Sequence, residues 1–274
     1  MVMLDVICRS GAYSSDDIIV AHFDHGIRQN SGEDAEFVRK KTTEYGVQFR
    51  LGEGKLGART SEDSARDARY EFLYSIDPYA PIFVAHHLDD LVETVAINSL
   101  RGTGWRGLAG LNRQNIRRPF LEMDLLYEPM DKAAIIEYAA KRRLNFREDQ
   151  SNSSDEYLRN RIRHEMNNSG LNFEQKMEIY RLWQKQKELK DEIDTQIVKL
   201  LPEDGVWQRS WFREMDAAIA LELLRAGTLR AGAPATRPQL EDFRQAILNY
   251  APGKYFNLPG DRLVKLNKND FELC

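Results

Sequence analysis

His86, His87, Asp89, Asp90 and Glu93 stand within eight positions of "VAHHLDDLVET", directly after a short apolar run. On a helix over 88–100, His86, Asp90 and Glu93 fall at i, i+4 and i+7, within roughly 60° of one another at about 100° per residue. Asp89 lies beside them. Carboxylates converging at a helix start suit a divalent cation completed by phosphates. They equally suit an amine-bearing substrate. The plainer reading is a capped helix whose first-turn acids favour the macrodipole. That reading leaves Glu93 and His86 without a purpose.

A second polar cluster, "HFDHG" (22–26), brings His22, Asp24 and His25 together. Jointly the two clusters admit a His/Asp metallohydrolase. That alternative is short of ligands, because Val20 stands where the pattern H-x-H-x-D-H of the metallo-β-lactamase fold needs its first histidine. "YLRNRIRH" (157–164) sets Arg159 and Arg163 at i, i+4 with Asn160 beside them. Such a face suits phosphate or carboxylate, or simply solvent. "GTGWRG" (102–107) fits G-x-G-x-x-G, but it follows a helix rather than a strand, the wrong context for a dinucleotide loop. It reads as a flexible loop carrying Arg101 and Arg106.

The elements that must position these groups alternate. Apolar runs predict strands within 16–26, 47–53 and 80–87. Helices are expected over 31–46, 61–76 and 88–102, with Ser31 as an N-cap and Gly46 as a C-cap of the first. Ala65, Ala68, Phe72 and Ile76 mark the apolar side of the second. Strands alternating with helices predict an α/β fold, a Rossmann-like parallel sheet with helices on both faces and ligands at the carboxyl ends of its strands. Both polar clusters fall at that edge. A Gly- and Arg-rich connection (101–123) leads to a helix over 131–144 and a polar, basic stretch over 145–166. Residues 172–200 predict a long helix with Phe173, Met177, Ile179, Tyr180, Leu182 and Trp183 as an apolar stripe. The expected division is a catalytic domain over 1–166 and a mainly helical accessory domain over 167–274, closed by a hairpin around a Pro-Gly-Asp turn.

With 274 residues, ordinary apolar content and a net charge of −4, the chain reads as a soluble globular protein. No apolar run reaches membrane length and no signal peptide is visible. Only Cys8 and Cys274 are present, so a cytoplasmic location is expected. Residues 12–100 hold 9 Lys/Arg against 16 Asp/Glu, a balance of −7, whereas 101–163 hold 13 against 9, a balance of +4. The basic stretch is compatible with a local nucleic-acid surface or with a solvated mixed-charge one.

In order, "AHFDHGIR", "SARDARYEFL", "AHHLDDLVETVAINSLRGTGWRGLAGL", "RRPFLEM" and "REDQSNSSDEYLRNRIRHE" resemble the tRNA(Ile)-lysidine synthases of the PP-loop, or N-type ATP pyrophosphatase, family. The resemblance covers residues 1 to about 166. It implies an adenine nucleotide α-hydrolase-like fold and an enzyme that uses ATP and Mg²⁺. Its substrate would be the wobble cytidine of the isoleucine tRNA with a CAU anticodon. ATP adenylates the C2 oxygen of that base with release of pyrophosphate, and the ε-amine of free L-lysine then attacks C2 and displaces AMP to give lysidine. Carried over by position, His86, Asp89, Asp90 and Glu93 form the catalytic cluster, with Asp90 and Glu93 as the residues that would grip lysine or Mg²⁺. Asp24, His25, Arg66 and Arg69 border the nucleotide. Arg101, Arg106, Arg159, Asn160 and Arg163 line the tRNA side. A homodimer is compatible with this reading, and no membrane partner is expected. The alternatives are another tRNA-modifying PP-loop enzyme, such as a thiolating one, and an inactive tRNA-binding remnant.

One departure stands out. The family's strand followed by S-G-G-x-D-S is not found in this sequence, and "MVMLDVICRSG" matches the helix that follows it. The catalytic domain is therefore expected to be N-terminally incomplete, with an apolar slot between neighbouring strands and little or no ATP-dependent activity.

Overall fold

The structure is a computed structural model that describes residues 1–26, 31–54, 62–111, 115–122, 126, 128–147 and 158–273. The backbone alone is described for Ser31, Glu62, Asp63, Leu158, Asn160, Asn167 and Ser169, and Cys274 lies outside the described residues. Two compact units, Met1–Gln186 and Lys187–Cys274, divide the chain.

The first unit opens on α1 (Val2–Ser10), ended by Gly11 in the left-handed region at φ 66°. There follow β1 (Ile19–Asp24), α2 (Ser31–Tyr45), β2 (Gln48–Glu53), α3 (Glu62–Ile76), β3 (Ile82–Phe83), α4 (Leu88–Leu100), α5 (Gly104–Leu108), β4 (Ile116–Arg117), α6 (Lys132–Lys141) and α7 (Leu158–Ser169). The long α8 (Phe173–Leu200) comes next and contains the boundary between the units.

β1 and β2 pair in parallel from Ile19↔Gln48 to Asp24↔Glu53. β3 and β4 pair in parallel through Ile82↔Ile116 and Phe83↔Arg117. Among the described residues no ladder joins β1 to β3, so the sheet consists of two separate parallel pairs. The expected run over 80–87 keeps only two strand residues. β1 is half-buried along most of its length rather than covered on both faces. A strand with one ladder partner is shielded less than a central one.

Packing fixes the helices on these strands. A side chain at Gly52 of β2 would come within 2.6 Å of the Phe72 ring, so glycine lets α3 lie close against the strand. Phe72 in turn packs on Phe23 of β1 at 5.6 Å. Leu88 and Leu91 of α4 are fully buried with Leu121, Tyr180 and Trp183. Tyr180 donates to the Leu121 carbonyl at 2.6 Å, and Trp183 Nε1 donates to the Gly110 carbonyl at 2.8 Å. The stripe expected on α8 is thus narrower: Met177, Tyr180 and Trp183 face inward, while Phe173 and Leu182 are exposed. Buried Asp5 of α1 accepts from Arg9, Tyr45 of α2, and Tyr138 and Arg142 of α6.

The second unit adds β5 (Val206–Gln208), α9 (Trp211–Glu214), α10 (Ala217–Arg230), α11 (Arg237–Asn249), β6 (Lys254–Leu258), β7 (Arg262–Leu266) and β8 (Asp270–Glu272). The predicted hairpin is β6–β7, turned by Gly260 and Asp261 at φ 75° and 56°. It belongs to a four-stranded antiparallel sheet of order β5-β8-β7-β6. Trp207, Phe212, Phe243 and Phe271 centre the core beneath it.

Candidate functional site

After β3 the chain runs through His86 and His87 into α4. Burial of Leu88 and Leu91 fixes which faces the polar residues take. Asp90 Oδ2 accepts the His87 backbone N–H at 3.0 Å, the return bond of a helix start. Asp90 Oδ1 lies 3.8 Å from Arg163 Nη2, a long contact.

Glu93 is 1% exposed, although it is a carboxylate. Its charge is met by α7. Arg163 donates through Nε to Oε1 at 2.6 Å and through Nη2 to Oε2 at 3.0 Å, the fork geometry that suits guanidinium and carboxylate. Arg159 Nε lies 3.3 Å from Oε2, and its Nη2 donates to Thr94 Oγ1 at 3.2 Å. The arrangement brings Glu93 and the two arginines together, with each committed to the other. It does not fit Mg²⁺ at Glu93, whose two oxygens are taken, and no cluster of three or more metal-ligating side chains is present among the described residues.

Asp89 is engaged elsewhere. One oxygen accepts the Lys132 backbone N–H at 2.7 Å, and the other pairs with Lys176 Nζ at 2.7 Å. Lys176 also reaches Asp131, 3.1 Å away, whose other oxygen caps α6 through the Ala134 N–H. Burial alone would raise the Asp89 pKa, but His87, Lys176 and the Lys132 amide outweigh it and hold the carboxyl well below its usual range.

The adjacent histidines respond in opposite senses. Burial, with Arg118, Arg159 and Arg66 nearby, pushes His86 down to about 4 against the pull of Asp90. Burial also disfavours charge on His87, but Asp89, Asp90 and Glu93 raise its pKa overall. His86 is therefore neutral at physiological pH, and its Nδ1 is buried without a hydrogen-bond partner.

On the neighbouring strand pair, Asp24 ends β1 and its Oδ1 accepts the Gly26 N–H at 2.8 Å. His25 packs edge-on against Phe23 at 5.0 Å. Burial first, then Arg69, lowers its pKa. Arg66 and Arg69 both lie on α3, the first within electrostatic reach of His86, the second of His25.

The segment over 102–107 is not the loop expected from its glycines. Gly102 and Gly104 adopt φ of 62° and 68°, and the short α5 follows. Arg106 lies 4.6 Å over the Trp105 ring. Arg101 caps the end of α4 and is exposed. The side chain of Asn160 and the segment 148–157 lie outside the described residues.

Sequence reasoning passed over Lys176 and Arg118. Lys176 sits 83 residues beyond Glu93 on a helix that reads as a connector, and no local pattern announces its partners. Arg118 stands within "RRPFLEM", and the paired arginines of that motif were the available signal; its burial just after β4 is visible only in the structure. Burial, with Asp5 nearby, raises the Cys8 pKa and disfavours its thiolate.

Comparison with known proteins now bears on this site. The PP-loop domain profile matches residues 1–169. The chain is 37% identical over 152 residues to a tRNA(Ile)-lysidine synthase of Solibacter usitatus, covering 53% of this chain and 33% of that protein. It is 34% identical over 175 residues to the tRNA(Ile)-lysidine synthase of Thermotoga maritima, covering 60% and 41%. It is 32% identical over 178 residues to a bifunctional protein TilS/HprT of Listeria monocytogenes, covering 60% and 26%. The chain thus spans only about a quarter to two-fifths of the length of these curated relatives. Among solved structures, the U34-tRNA thiolase NcsA of Methanococcus maripaludis, described with its [4Fe-4S] cluster, aligns with TM-score 0.54 at 17% identity, over 68% of this chain and 67% of that one. That likeness is one of fold. A parallel α/β sheet with its polar groups gathered at the strand ends, together with a profile match across most of the first unit, shows that this chain belongs to the PP-loop family.

Proposed function

We propose that this chain is a tRNA(Ile)-lysidine synthase, or the part of one that holds the reacting groups. Its substrates would be ATP, free L-lysine and the isoleucine tRNA with a CAU anticodon. The observation that carries the reading is the joint placement of His86, Asp90 and the Glu93–Arg163 pair at one strand edge, in a chain about one-third identical to lysidine synthases.

In this reading O2 of the wobble cytidine attacks the α-phosphorus of ATP, and pyrophosphate leaves. The lysine ε-amine then attacks C2, the C2–O bond breaks, and AMP leaves with both bonding electrons. The amine gives up a proton in the process, and a hydrogen-bonding carboxylate is a suitable acceptor. Asp90 is assigned that position, because among the described residues its Oδ1 has only the long contact to Arg163. Glu93 is a positioning residue that fixes Arg159 and Arg163. Asp89 acts at one remove, by tying α4 to Lys176 and α6. Asp24, His25, Arg66 and Arg69 border the nucleotide, while Arg101, Arg106 and Asn160 serve the tRNA side. Mg²⁺ accompanies the nucleotide phosphates, and no protein ligand is assigned to it. We place the enzyme in the cytoplasm; among the described residues no helix is long and apolar enough to cross a membrane.

Incubation with ATP, labelled lysine and a transcript of this tRNA tests the proposal. Because these 274 residues contain no S-G-G-x-D-S, turnover is expected to be slow, but lysine transfer and tRNA binding should both require cytidine at the wobble position. Asp90→Asn should reduce transfer at least tenfold with tRNA binding unchanged. Equal binding of transcripts with cytidine or uridine there, with no lysine transferred, would overturn the reading.

A further inference from the structure

"RRPFLEM" is the motif that the proposed reaction leaves without a task. Arg118 within it follows β4 at the carboxyl edge that also holds His86. Its side chain is only 4% exposed. A guanidinium carries five N–H donors, and a buried one is costly unless they are met. Here they are poorly met. Nη1 donates to the Ile116 carbonyl at a long 3.4 Å and lies 3.7 Å from Glu122 Oε1. Nε is buried with no partner. Glu122 Oε2 is occupied by the Arg118 backbone N–H at 3.1 Å.

Arg209 in the second unit shows what a structural arginine of equal burial looks like. It is 3% exposed and donates to the carbonyls of Ile247, Asn267 and Tyr250 at 2.7, 2.8 and 2.8 Å. Arg66 and His86 lie within electrostatic reach of Arg118, and among the described residues Glu122 is the acid it pairs with. Two guanidinium groups and an imidazole at a strand edge, one of the three deeply buried and, among the described residues, held only by long side-chain contacts, form a site with room for a further anionic partner.

We propose that Arg118, together with Arg66 and His86, is an oxyanion subsite that takes either a nucleotide phosphoryl group or the carboxylate of the free amino acid. The planar fork of Arg118 matches both. The proposal rests on the function proposed above and adds a substrate contact to it.

Titration calorimetry on the 274-residue chain separates the two sources. AMP probes the phosphoryl group. L-Lysine against L-lysinamide probes the carboxylate. The chain is expected to bind AMP, or to prefer lysine to lysinamide, and Arg118→Met should weaken that binding or abolish that preference at least tenfold. Arg118→Lys should recover part of it, as a point charge without the fork. Thermal melting distinguishes a structural role: Arg118→Met should keep the wild-type Tm or exceed it, since an apolar side chain replaces an under-satisfied cation. Binding that is unchanged in Arg118→Met, absence of binding by the wild type, or a Tm lowered by several degrees would each overturn the subsite. Wobble-dependent lysine transfer with binding indifferent to Arg118 would refute this proposal alone. Arg118-dependent binding with no lysine transferred and equal binding of the cytidine and uridine transcripts would refute the function alone.

Discussion

His86 and His87 are neighbours in sequence with opposite proton affinities, and that contrast is measurable. Burial beside Arg118, Arg159 and Arg66 puts His86 at about 4, while the carboxylates around His87 lift it above its ordinary value. NMR titration of the imidazole nitrogens, assigned with single His→Gln variants, should show His86 neutral from pH 7 down to about 4 and His87 still charged above pH 6.5. The signs for stability follow. Between the unfolded value of about 6.5 and 4, the unfolded chain binds a proton at position 86 that the folded chain refuses, so acidification through this window destabilises. The His87 contribution is complete below about 6.5 and is lost as pH rises through its folded pKa. A single shared transition near 6.5 would contradict both. Residue identity placed Asp89, Asp90 and Glu93 on the helix start, a local property, whereas His86 precedes the N-cap His87 and so does not share the helix face its i, i+4, i+7 spacing suggested. The destinations of Glu93 and Asp89 were not legible, since their partners Arg163 and Lys176 come from elements far along the chain. A carboxylate that reads as a ligand in sequence is, once α7 is docked, one half of a buried ion pair.

At the scale of elements, Asp5 shows how one side chain fixes three helices. Arg9 on α1, Tyr45 on α2, and Tyr138 and Arg142 on α6 all donate to it. Burial would raise its pKa, yet these donors prevail and set it at about 2. Its stabilising contribution is present above about 3.8 and is lost as pH falls toward 2. Asp5→Asn removes a charged acceptor shared by two tyrosine hydroxyls and two partly exposed guanidinium groups and should cost about 1.5–3 kcal/mol, the scale of hydrogen bonds to a charged group. Urea unfolding at pH 7 measures it, and a loss under about 1 kcal/mol would be inconsistent with a shared anchor. Helix and strand alternation was readable from period and capping. Strand extent was less so: the run over 80–87 pairs only at Ile82 and Phe83, because pairing depends on where the partner strand lies. The "GTGWRG" glycines likewise read as a flexible loop, whereas the left-handed Gly102 and Gly104 lead directly into α5.

For the whole molecule, two units with separate cores predict unfolding that is not two-state. Arg209 supplies a selective probe, since its three carbonyl bonds join α11 to the β6–β8 region within the second unit. Arg209→Met should lower the transition reported by Trp207 and leave that reported by Trp183 in place. Coincident shifts of both would mean a single cooperative unit. The rim of β1 that does not face β2 has a practical consequence for anyone who purifies this protein. Among the described residues, its amides and carbonyls have no ladder partner, as is also true of the far side of β3. Such borders recruit strands from other chains. Concentrated stocks should therefore thicken and precipitate on storage, faster with protein concentration, and amyloid-type dye binding should track the loss.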